Sequence, residues 1–279
     1  MGKSTLFNAL VGERLSIVTH KPQTTRDAVL GILNQPDAQL LFLDTPGMLD
    51  PAYRLQDYMA GQVRAALSDA DVLLVVVDAS DLHGSCDEGM REVLAKVGGP
   101  PRVVAVNKAD LVAEDVLNRA LAETRELIPC QVILPVSARR ARGITPLLQA
   151  VSEALPEGPR LYPEDVLTEH PERFFVSELV REEIFTQLRQ ELPYAIAVRI
   201  EDYKEDRTKL YIRATVVVER ESQKGIVIGS QGKTLRSIGK GARTRIEAFL
   251  KQPVYLDLHV KVQENWRKKE RALQGLGYQ

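Results

Sequence analysis

The first half of the chain alternates short apolar runs with segments of helical periodicity. Runs rich in Val, Leu or Ile lie at 40–44, 72–78, 102–107 and 131–137. Apolar residues recur at helical spacing in 87–97, 114–127 and 144–155. Strands that alternate with helices in this way predict a mostly parallel sheet with helices on its faces. Ligands of such sheets bind beyond the carboxyl ends of the strands, and each motif of the first half lies at such an end.

The pattern changes after a stretch at 156–173 that contains four prolines and has no sustained periodicity. Beyond it the chain predicts a helix, two strands, two helices around a glycine turn, a strand and a last helix. These elements lie at 175–192, 194–203, 209–220, 223–250, 254–262 and 264–278. The sequence therefore predicts two domains, at 1–157 and 174–279, joined by a linker at 158–173.

Composition narrows the class of protein without naming a function. The 279 residues suffice for two ordinary domains, and the longest apolar run, 72–77, is too short to cross a bilayer. Cys86 and Cys130 are too few for a disulfide framework or a four-cysteine zinc site, which favours reduced thiols in a cytosolic protein.

Charge is unevenly distributed along the chain. Residues 1–155 contain 15 Lys and Arg against 19 Asp and Glu, whereas residues 156–279 contain 22 against 19. The excess is concentrated at 220–251, with eight basic and two acidic residues. Such a run is usually a solvated helix face, and the sharper alternative is a site for a polyanion.

The first motif is "GKST" at residues 2–5, the tail of a phosphate-binding loop whose full form is G-x-x-x-x-G-K-[ST]. Backbone N–H groups at Gly2 and Thr5 would face phosphate oxygens, Lys3 would neutralise them, and the Ser4 hydroxyl would bind Mg²⁺. The first glycine of the motif and three of its four spacers are absent. Either the match is accidental or the chain has lost its front end.

Two further motifs, "DTPG" and "NKAD", each follow a predicted strand. In "DTPG" (44–47), Asp44 is predicted to hold Mg²⁺ through water, and Gly47 to offer its N–H to a γ-phosphate, with Thr45 and Pro46 between them. The alternative is an ordinary turn.

"NKAD" (107–110) is more specific. Asp110 can accept two hydrogen bonds from the N1 and N2 groups of guanine, Asn107 can hold the loop, and the stem of Lys108 can lie along the base. In the following "SAR" stretch, Ser137 and Ala138 are predicted to complete the base site.

In this order and each at a strand end, the four motifs look like the motif set of a translation-factor-class GTPase. The segment 21–31 lies where such proteins keep a mobile segment whose threonine completes the Mg²⁺ shell. Thr24 and Thr25 compete for this role, and Thr25 is favoured. Met48 stands where other GTPases place a glutamine that orients the attacking water. A thioether is too weak an acceptor for that task, so we expect slow intrinsic hydrolysis that a partner or a monovalent cation such as K⁺ accelerates.

A G-x-x-G turn in the second half predicts RNA binding, because two glycines let the backbone approach about four nucleotides closely. Basic residues flank the turn and would meet phosphates. The predicted contacts are Lys224, Gly229, Ser230, Gln231, Gly232, Lys233, Arg236, Lys240 and Arg243, and Arg245 flanks the turn as well. Bases would lie in an apolar groove lined by Ile226, Val227, Ile228 and Ile238, unless these side chains belong to the core.

Together the four nucleotide motifs, the helix-turn-helix with G-x-x-G and the ending "W…ERAL…LGY" resemble the Era family of GTPases over essentially the whole chain. The resemblance implies a P-loop GTPase domain followed by a type II KH domain. It implies GTP/GDP and Mg²⁺ as cofactors, hydrolysis that uses Lys3, Thr25 and Gly47, and a metal shell of Ser4, Thr25 and Asp44.

The family resemblance also implies partners and a location. These are the 3′ end of the 16S rRNA and the 30S ribosomal subunit, whose maturation the protein would assist as a monomer. The location is the cytoplasm, with loose association at the inner face of the membrane in some members. The helix around Trp266 would then face a membrane surface or, as the favoured alternative, pack as a solvated helix.

Within this family, Met1 occupies the position of a valine, whose GTG codon is also a bacterial start codon. We therefore hypothesise that the first strand and most of the phosphate loop are missing from the chain as written. Such a chain would bind nucleotide weakly. The rival function is a KH protein that binds RNA but whose GTPase domain no longer binds or hydrolyses nucleotide.

Overall fold

The computed structural model describes residues 1–21, 23–188, 191–206 and 209–278. They form two compact units, each assembled from separate stretches of the chain. The first unit comprises 1–16, 28–48 and 61–169, and the second comprises 17–27, 49–60 and 170–279. The predicted domain boundaries at 157 and 174 divide the chain into contiguous ranges, whereas the two units interleave along the chain. The boundaries therefore remain a prediction.

Three parallel strands form the main sheet of the first unit, in the order β3-β4-β5. They are β3 (Leu73–Asp78), β4 (Arg102–Asn107) and β5 (Val132–Pro135). The central strand is apolar on both faces, and Val103 to Val106 are completely buried, as expected when helices cover both faces. The covering helices are α3 (Leu82–Ser85), α4 (Glu88–Lys96), α5 (Glu114–Leu127) and α6 (Ile144–Ala154).

A second, two-stranded sheet pairs β1 (Val29–Asn34) antiparallel with β2 (Gln39–Asp44). Helix α1 (Lys3–Val11) packs on it, and a side chain at Gly31 would come within 2.6 Å of the Phe7 ring. Strand β1 was not predicted, because 21–31 was assigned to a mobile loop. The expectation of a mobile loop is wrong for the last three of those residues.

Residues 160–167, predicted to belong to the linker, lie against this sheet. The backbone N–H of Ile32 donates to the carbonyl of Leu167 (2.8 Å), and the Gln39 side chain bonds the backbone of Leu161 and Tyr162. The stretch therefore has fixed contacts within the first unit, although it contains no helix or strand of its own.

The second unit has the predicted order of elements, with a three-stranded sheet β6-β7-β8 and helices α7, α8 and α9 on one face. Its elements are α2 (Arg54–Asp69, of which residues to 60 belong here), α7 (Glu172–Gln187), β6 (Ala197–Asp206), β7 (Lys209–Val218), α8 (Glu221–Ile228), α9 (Lys233–Leu250), β8 (Val254–Val262) and α10 (Glu270–Gly275). Strand β7 runs antiparallel to β6 and parallel to β8. The core between this sheet and the helices includes Val176, Ile184, Ile212, Val216 and Ile246.

Several boundaries in this unit differ from the predictions, most of all around the end of α7. Helix α7 spans 172–187 rather than 175–192, and a 3₁₀ turn at Leu192–Ala195 replaces the start of the predicted strand. Residues 189 and 190, within the predicted helix, lie outside the described residues. Pro193 explains the turn, because proline fixes φ and has no N–H for a strand ladder.

Trp266 precedes the last helix rather than lying in it. It begins a 3₁₀ turn at Trp266–Lys268, is completely buried, and donates from Nε1 to the carbonyl of Ala195 at 3.0 Å. The indole packs in a cluster with Val217 and Leu273, so its environment is that of a packed core residue. Across the described residues, we find no helix that combines the length and the hydrophobicity needed to span a bilayer.

Candidate functional site

Four residues that follow β4 and β5 form a connected network of hydrogen bonds. The Asn107 Oδ1 atom accepts from the backbone N–H of Ala138 at 3.0 Å, and the Ser137 hydroxyl donates to Asp110 Oδ1 at 2.6 Å. Since parallel strands end at the same edge, two motifs 30 residues apart along the chain come together. The predicted base-binding residues Asn107, Asp110, Ser137 and Ala138 are thus held in one place.

Arg140 supports the same carboxylate and was not identified from the sequence as part of the site. Its Nε atom lies 3.1 Å from Asp110 Oδ2. The Ser137 hydroxyl, and less strongly the Arg140 guanidinium, hold the pKa of Asp110 below its ordinary value. The carboxylate is therefore ionised at neutral pH, the state that accepts hydrogen bonds.

Lys108 adopts a left-handed backbone conformation (φ 62°), and its Nζ lies 2.5 Å from Asp78 at the end of β3. Burial alone would raise the pKa of Asp78, but hydrogen bonds from Lys108 and Ser80 lower it below its ordinary value. Asp78 was also missed, although a carboxylate after a buried parallel strand is the signal that would have found it.

The start of α1 adjoins this network. Gly2 has φ 85°, and a Cβ there would lie 2.9 Å from the Asn107 side-chain nitrogen, which donates to the carbonyl of Met1 at 2.9 Å. Glycine is therefore required by both conformation and space. Lys3, Ser4 and Thr5 come directly after Gly2 and form the first turn of α1.

Lys3 lies near the residues that follow β2. Burial lowers the pKa of its ammonium group, and the charge of Asp44 offsets part of that shift. A Cβ on Gly47 would lie 3.9 Å from Lys3 Nζ, and Asp44 itself is buried. The structure thus brings "GKST" and "DTPG" together, with Thr45 and Pro46 in the turn between the two.

The predicted metal ligands fall in different units. Ser4 and Asp44 belong to the first unit, whereas Thr24 and Thr25 belong to the second. The Thr24 hydroxyl is buried and bonded to the Thr19 hydroxyl (2.6 Å) and the Lys21 carbonyl (2.8 Å). Thr24 therefore has a structural role in its turn, which leaves Thr25 as the better candidate of the two.

Arg26, the residue after Thr25, is buried in the second unit, and sequence reasoning gave it no role. Its guanidinium donates to the carbonyls of Ile196 (2.8 Å) and Tyr194 (3.0 Å) and to the Tyr278 hydroxyl (2.9 Å). It also lies over the Trp266 ring, 5.6 Å from the centroid. This set of contacts anchors the segment 17–27 to the unit that carries the G-x-x-G turn.

Three more hydrogen bonds fix residues 17–27 within the second unit. Lys21 Nζ donates to the carbonyls of Phe185 (2.9 Å) and Leu188 (2.5 Å) at the end of α7. The Tyr58 hydroxyl donates to Asp27 at 2.6 Å and so joins residues 17–27 to α2. Met48, which follows "DTPG", is 41% exposed.

The G-x-x-G turn connects α8 to α9 and needs both glycines for different reasons. Gly229 has φ 71°, and a Cβ there would lie 2.1 Å from the Thr234 hydroxyl. Gly232 has φ 73°, but its nearest neighbour would be an Arg236 nitrogen 4.0 Å away. Gly229 is thus required for packing, whereas Gly232 keeps an accessible backbone beside Ser230 and Gln231, which are exposed.

Basic side chains form a stripe along the first three turns of α9. Lys233, Arg236, Lys240 and Arg243 are exposed and recur at intervals of three and four residues, which places them on one face of the helix. Lys224 on α8 is half-buried and lies 3.9 Å from Glu221. Arg245 points elsewhere, since it pairs with Glu183 (2.7 Å) and Glu182 (3.4 Å) of α7. The predicted flanking role of Arg245 is therefore wrong.

The four apolar residues considered for a base-binding groove divide between core and surface. Val227 and Ile238 are completely buried in the core, Ile228 is half-buried, and Ile226 is 56% exposed. Only Ile226 and Ile228 can therefore contact a base without repacking.

Family models match both parts of the chain. A model described as "50S ribosome-binding GTPase" matches residues 1–108, and a KH domain model matches residues 191–267. GTPase Era of Geobacter metallireducens is 41% identical over 280 residues, covering 100% of this chain and 94% of that protein. The chloroplastic GTPase ERA1 of Zea mays is 42% identical over all of this chain, which spans 68% of that protein.

Two solved structures are similar along almost the whole chain. Era in complex with MgGDPNP and nucleotides 1506–1542 of 16S ribosomal RNA has a TM-score of 0.94 and 36% identity, covering 99% of this chain and 94% of that one. A variant of Aquifex aeolicus Era bound to GDP and AlF₄⁻ has a TM-score of 0.91 and 35% identity, covering 99% and 95%. By sequence and by structure, the chain belongs to the Era family of GTPases.

Proposed function

We propose that the chain is a GTP-hydrolysing switch protein that binds the 3′ end of the 16S rRNA and assists maturation of the 30S ribosomal subunit. The observation that carries the nucleotide half is the network of Asn107, Asp110, Ser137 and Ala138. It presents an ionised carboxylate at the ends of two parallel strands, fixed by the Ser137 hydroxyl at 2.6 Å. Two acceptor oxygens in that position suit the N1 and N2 donors of guanine.

We assign the remaining nucleotide contacts to the two motifs that meet around Lys3. The backbone at Gly2 and Ser4 to Thr5 would contact phosphates, and Lys3 would neutralise them. Burial lowers its pKa, and a bound polyanion would favour the charged form. Thr45, Pro46 and Gly47 would then lie beside the γ-phosphate.

The donor set of this site fits Mg²⁺. The Ser4 hydroxyl and the Asp44 carboxylate supply the hard oxygen ligands that this ion prefers, and the Asp44 carboxylate is buried at the end of β2, close enough to Lys3 for their charges to interact. Thr25 is the proposed third protein ligand. The ion would neutralise charge on the β- and γ-phosphates during hydrolysis.

At position 48, this chain has no side chain that can orient the attacking water for hydrolysis. We therefore propose that Lys3, Thr25 and the N–H of Gly47 stabilise the reacting phosphate, while Met48 contributes no hydrogen bond to the nucleophile. Intrinsic turnover would be slow, with K⁺ or a partner supplying the missing positive charge or water contact.

The RNA half of the proposal is supported by the G-x-x-G turn and the stripe of α9. An accessible backbone at Ser230 to Gly232 beside four exposed cations suits a strand whose phosphates approach closely. We propose the predicted RNA contacts accordingly. They are Lys224, Gly229, Ser230, Gln231, Gly232, Lys233, Arg236, Lys240 and Arg243. The relative with 16S nucleotides bound supports this choice of RNA.

We propose that the chain has two functional domains with the boundaries predicted from the sequence. Residues 1–157 would bind and hydrolyse the nucleotide, and residues 174–279 would bind RNA. We further propose a cytoplasmic monomer. The two cysteines are free thiols, and Cys86 is buried, which suits a reducing compartment.

The nucleotide half is tested by Asp110→Asn, which replaces one acceptor oxygen with an N–H₂ donor. We expect GTP affinity to fall roughly 100-fold and xanthosine triphosphate to become the preferred ligand, because a charged hydrogen-bond acceptor is lost. Competition against a fluorescent GTP analogue measures both. The control Asp115→Asn changes an exposed carboxylate paired with Arg119 and should leave GTP affinity unchanged. Equal GTP affinity in the parent and Asp110→Asn would refute the assignment.

The RNA half is tested by a double change, Ser230→Asp with Gln231→Asp. Both side chains are exposed, and Gln231 has φ 53°, which Asp tolerates. Two carboxylates beside the stripe should weaken binding of 16S nucleotides 1506–1542 at least tenfold, measured by fluorescence anisotropy, without changing GTP affinity. Loss of GTP binding in the parent with RNA binding intact would instead favour a plain RNA-binding KH protein.

A further inference from the structure

The sheet of the second unit has one face covered by helices and a second face that is only half covered. Residues such as Leu210, Ile212 and Val216 of β7 point into the helical core. On the other face, Val217 packs against the Trp266 cluster. Four and six positions earlier along β7, the same face is open and carries Arg213 and Tyr211.

The open half contains two tyrosines on neighbouring strands. Tyr211 and Tyr255 are direct partners in the parallel register of β7 and β8. Their rings are stacked, with centroids 5.7 Å apart and an interplanar angle of 12°. Tyr255 is 48% exposed, an unusual amount for an aromatic ring on a sheet.

Cations lie over both rings. Lys209 Nζ is 4.9 Å from the Tyr255 centroid, and the Arg213 guanidinium is 5.7 Å from the Tyr211 centroid. Arg213 is positioned by Asp257 at 3.1 Å, whereas Lys209 has no ion pair with any side chain that the structure describes. Among the described side chains, the ring of Tyr255 is therefore the contact that Lys209 would give up for a phosphate.

The charge of this face is mixed, with a small basic excess. By sequence and register, the residues of β6, β7 and β8 that point away from the helical core include five Lys and Arg against four Asp and Glu. They are Arg199, Lys204, Lys209, Arg213 and Lys261, and Glu201, Asp202, Asp206 and Asp257. Lys204 pairs with Asp202 at 2.6 Å. In the described part of this face, Tyr255 is the one large exposed apolar side chain, too little apolar surface for the core of a protein interface.

We propose that this face, which we call the tyrosine platform (Lys204, Lys209, Tyr211, Arg213 and Tyr255), is a second RNA contact. A base would stack on the Tyr255 ring in place of the Lys209 ammonium group, and Lys209 and Lys204 would move to the neighbouring phosphates. Stacking on an exposed aromatic ring beside cations is the usual physics of single-strand binding. The platform is on the opposite face of the sheet from α8 and α9, and so differs from the G-x-x-G turn.

This proposal rests on the RNA-binding function proposed above and extends it. A G-x-x-G turn clamps about four nucleotides, whereas an RNA that continues past the turn needs further contacts. The platform would hold nucleotides outside that clamp, and since each base has a π-face, its selectivity for sequence would be low.

The experiment measures binding of 16S nucleotides 1506–1542 to the whole chain by fluorescence anisotropy. For Tyr255→Ala we expect about tenfold weaker binding, because one stacked base is lost. Tyr255→Phe keeps the ring and should bind within twofold of the parent. The control Leu111→Ala removes an exposed side chain of the first unit and should have no effect. RNA carrying 4-thiouridine should crosslink to the peptide 254–262 in the parent.

The outcomes distinguish the tyrosine platform from the RNA-binding function proposed above. If Ser230→Asp with Gln231→Asp weakens binding while Tyr255→Ala does not, the KH function stands and the tyrosine platform is refuted. If neither variant changes affinity, both proposals fail. Unfolding curves followed by Trp266 fluorescence check that Tyr255→Ala is folded. Should that variant unfold, Lys209→Glu, which leaves both rings in place, must weaken binding for the proposal to survive.

Discussion

The network around Asn107 and the contacts of Arg26 both hold a loop through side-chain hydrogen bonds, but over very different distances along the chain. Asn107, Asp110, Ser137 and Ala138 follow two adjacent strands of one unit. Arg26 reaches residues 168 to 252 positions further on. The first loop can therefore form with its own sheet, whereas the second forms only when the second unit has folded around it.

This difference indicates how a GTPase can separate recognition from response. The proposed base site is preformed, so guanine would bind it at little cost in conformational entropy. The segment carrying Thr25 is anchored within the second unit, so a change in its conformation must act against the Arg26 contacts. A ligand shifts such an equilibrium only by its difference in affinity for the two states.

The largest expected effect comes from Arg26→Ala. It removes three charge-assisted hydrogen bonds and two contacts with aromatic rings. We expect the second unit to lose about 3 kcal/mol of unfolding free energy, since buried carbonyls are left without donors. Trp266 is the one tryptophan of the chain and lies beside Arg26, so denaturation followed by its fluorescence reports this unit.

A matched control for that experiment is Arg271→Ala, which changes an exposed arginine on α10. It should alter the unfolding free energy by less than about 0.5 kcal/mol. A loss below about 1 kcal/mol in Arg26→Ala would mean that the segment 17–27 is not held by these contacts.

A smaller effect, dependent on pH, is expected from Tyr58→Phe. Burial raises the pKa of Asp27, and the hydrogen bond from Tyr58 lowers it again in part. Because the folded pKa is raised, Asp27 contributes stability below its unfolded pKa of about 4 and loses that contribution as pH rises through the folded value. The Tyr58 hydroxyl limits this loss by stabilising the ionised form.

Removing the hydroxyl should therefore cost about 2 kcal/mol of unfolding free energy at neutral pH, and less as the pH falls, because protonation of Asp27 removes the charge that the hydroxyl stabilises. Denaturation series across this pH range test the sign. A cost that is constant with pH, or larger in acid, would show that the hydroxyl does not act by stabilising the ionised carboxylate of Asp27.

The sequence was sufficient for the parts of the fold that local patterns encode. Strand β4 and helix α5 coincide with their predicted ranges, and the second unit has the predicted order of elements. These segments have uniform periodicity and clear ends. By contrast, β1 contains Gly31, whose role is to let Phe7 approach, and that tertiary reason cannot be seen in a six-residue run.

The candidate site shows the same limit. Asn107, Asp110 and Ser137 were predicted because their motifs are short and follow strands. Arg26 was not, since its partners lie 168 to 252 positions further along the chain. Arg245 was assigned to the basic stripe by charge alone, but its position on α9 turns it toward Glu183.

The smallest effect should come from Ser137→Ala, which tests whether the base site is preformed. The variant loses the 2.6 Å bond to Asp110 but keeps the Arg140 contact at 3.1 Å. We expect about fivefold weaker GTP binding, the usual consequence of one lost hydrogen bond, and no change in the unfolding of the second unit. The control Ser68→Ala alters an exposed serine of α2 and should match the parent.

The pH profile sharpens this last test. The Ser137 hydroxyl lowers the pKa of Asp110, so in the parent the ionised acceptor persists as pH falls and is lost only when pH drops through that lowered value. Without the hydroxyl the pKa returns toward its ordinary range, and GTP binding should weaken at a higher pH than in the parent. Identical profiles would mean that Ser137 supports only the backbone of residues 138–140, through the 3.3 Å bond it accepts from the N–H of Arg140, and that Asp110 is oriented by Arg140 alone.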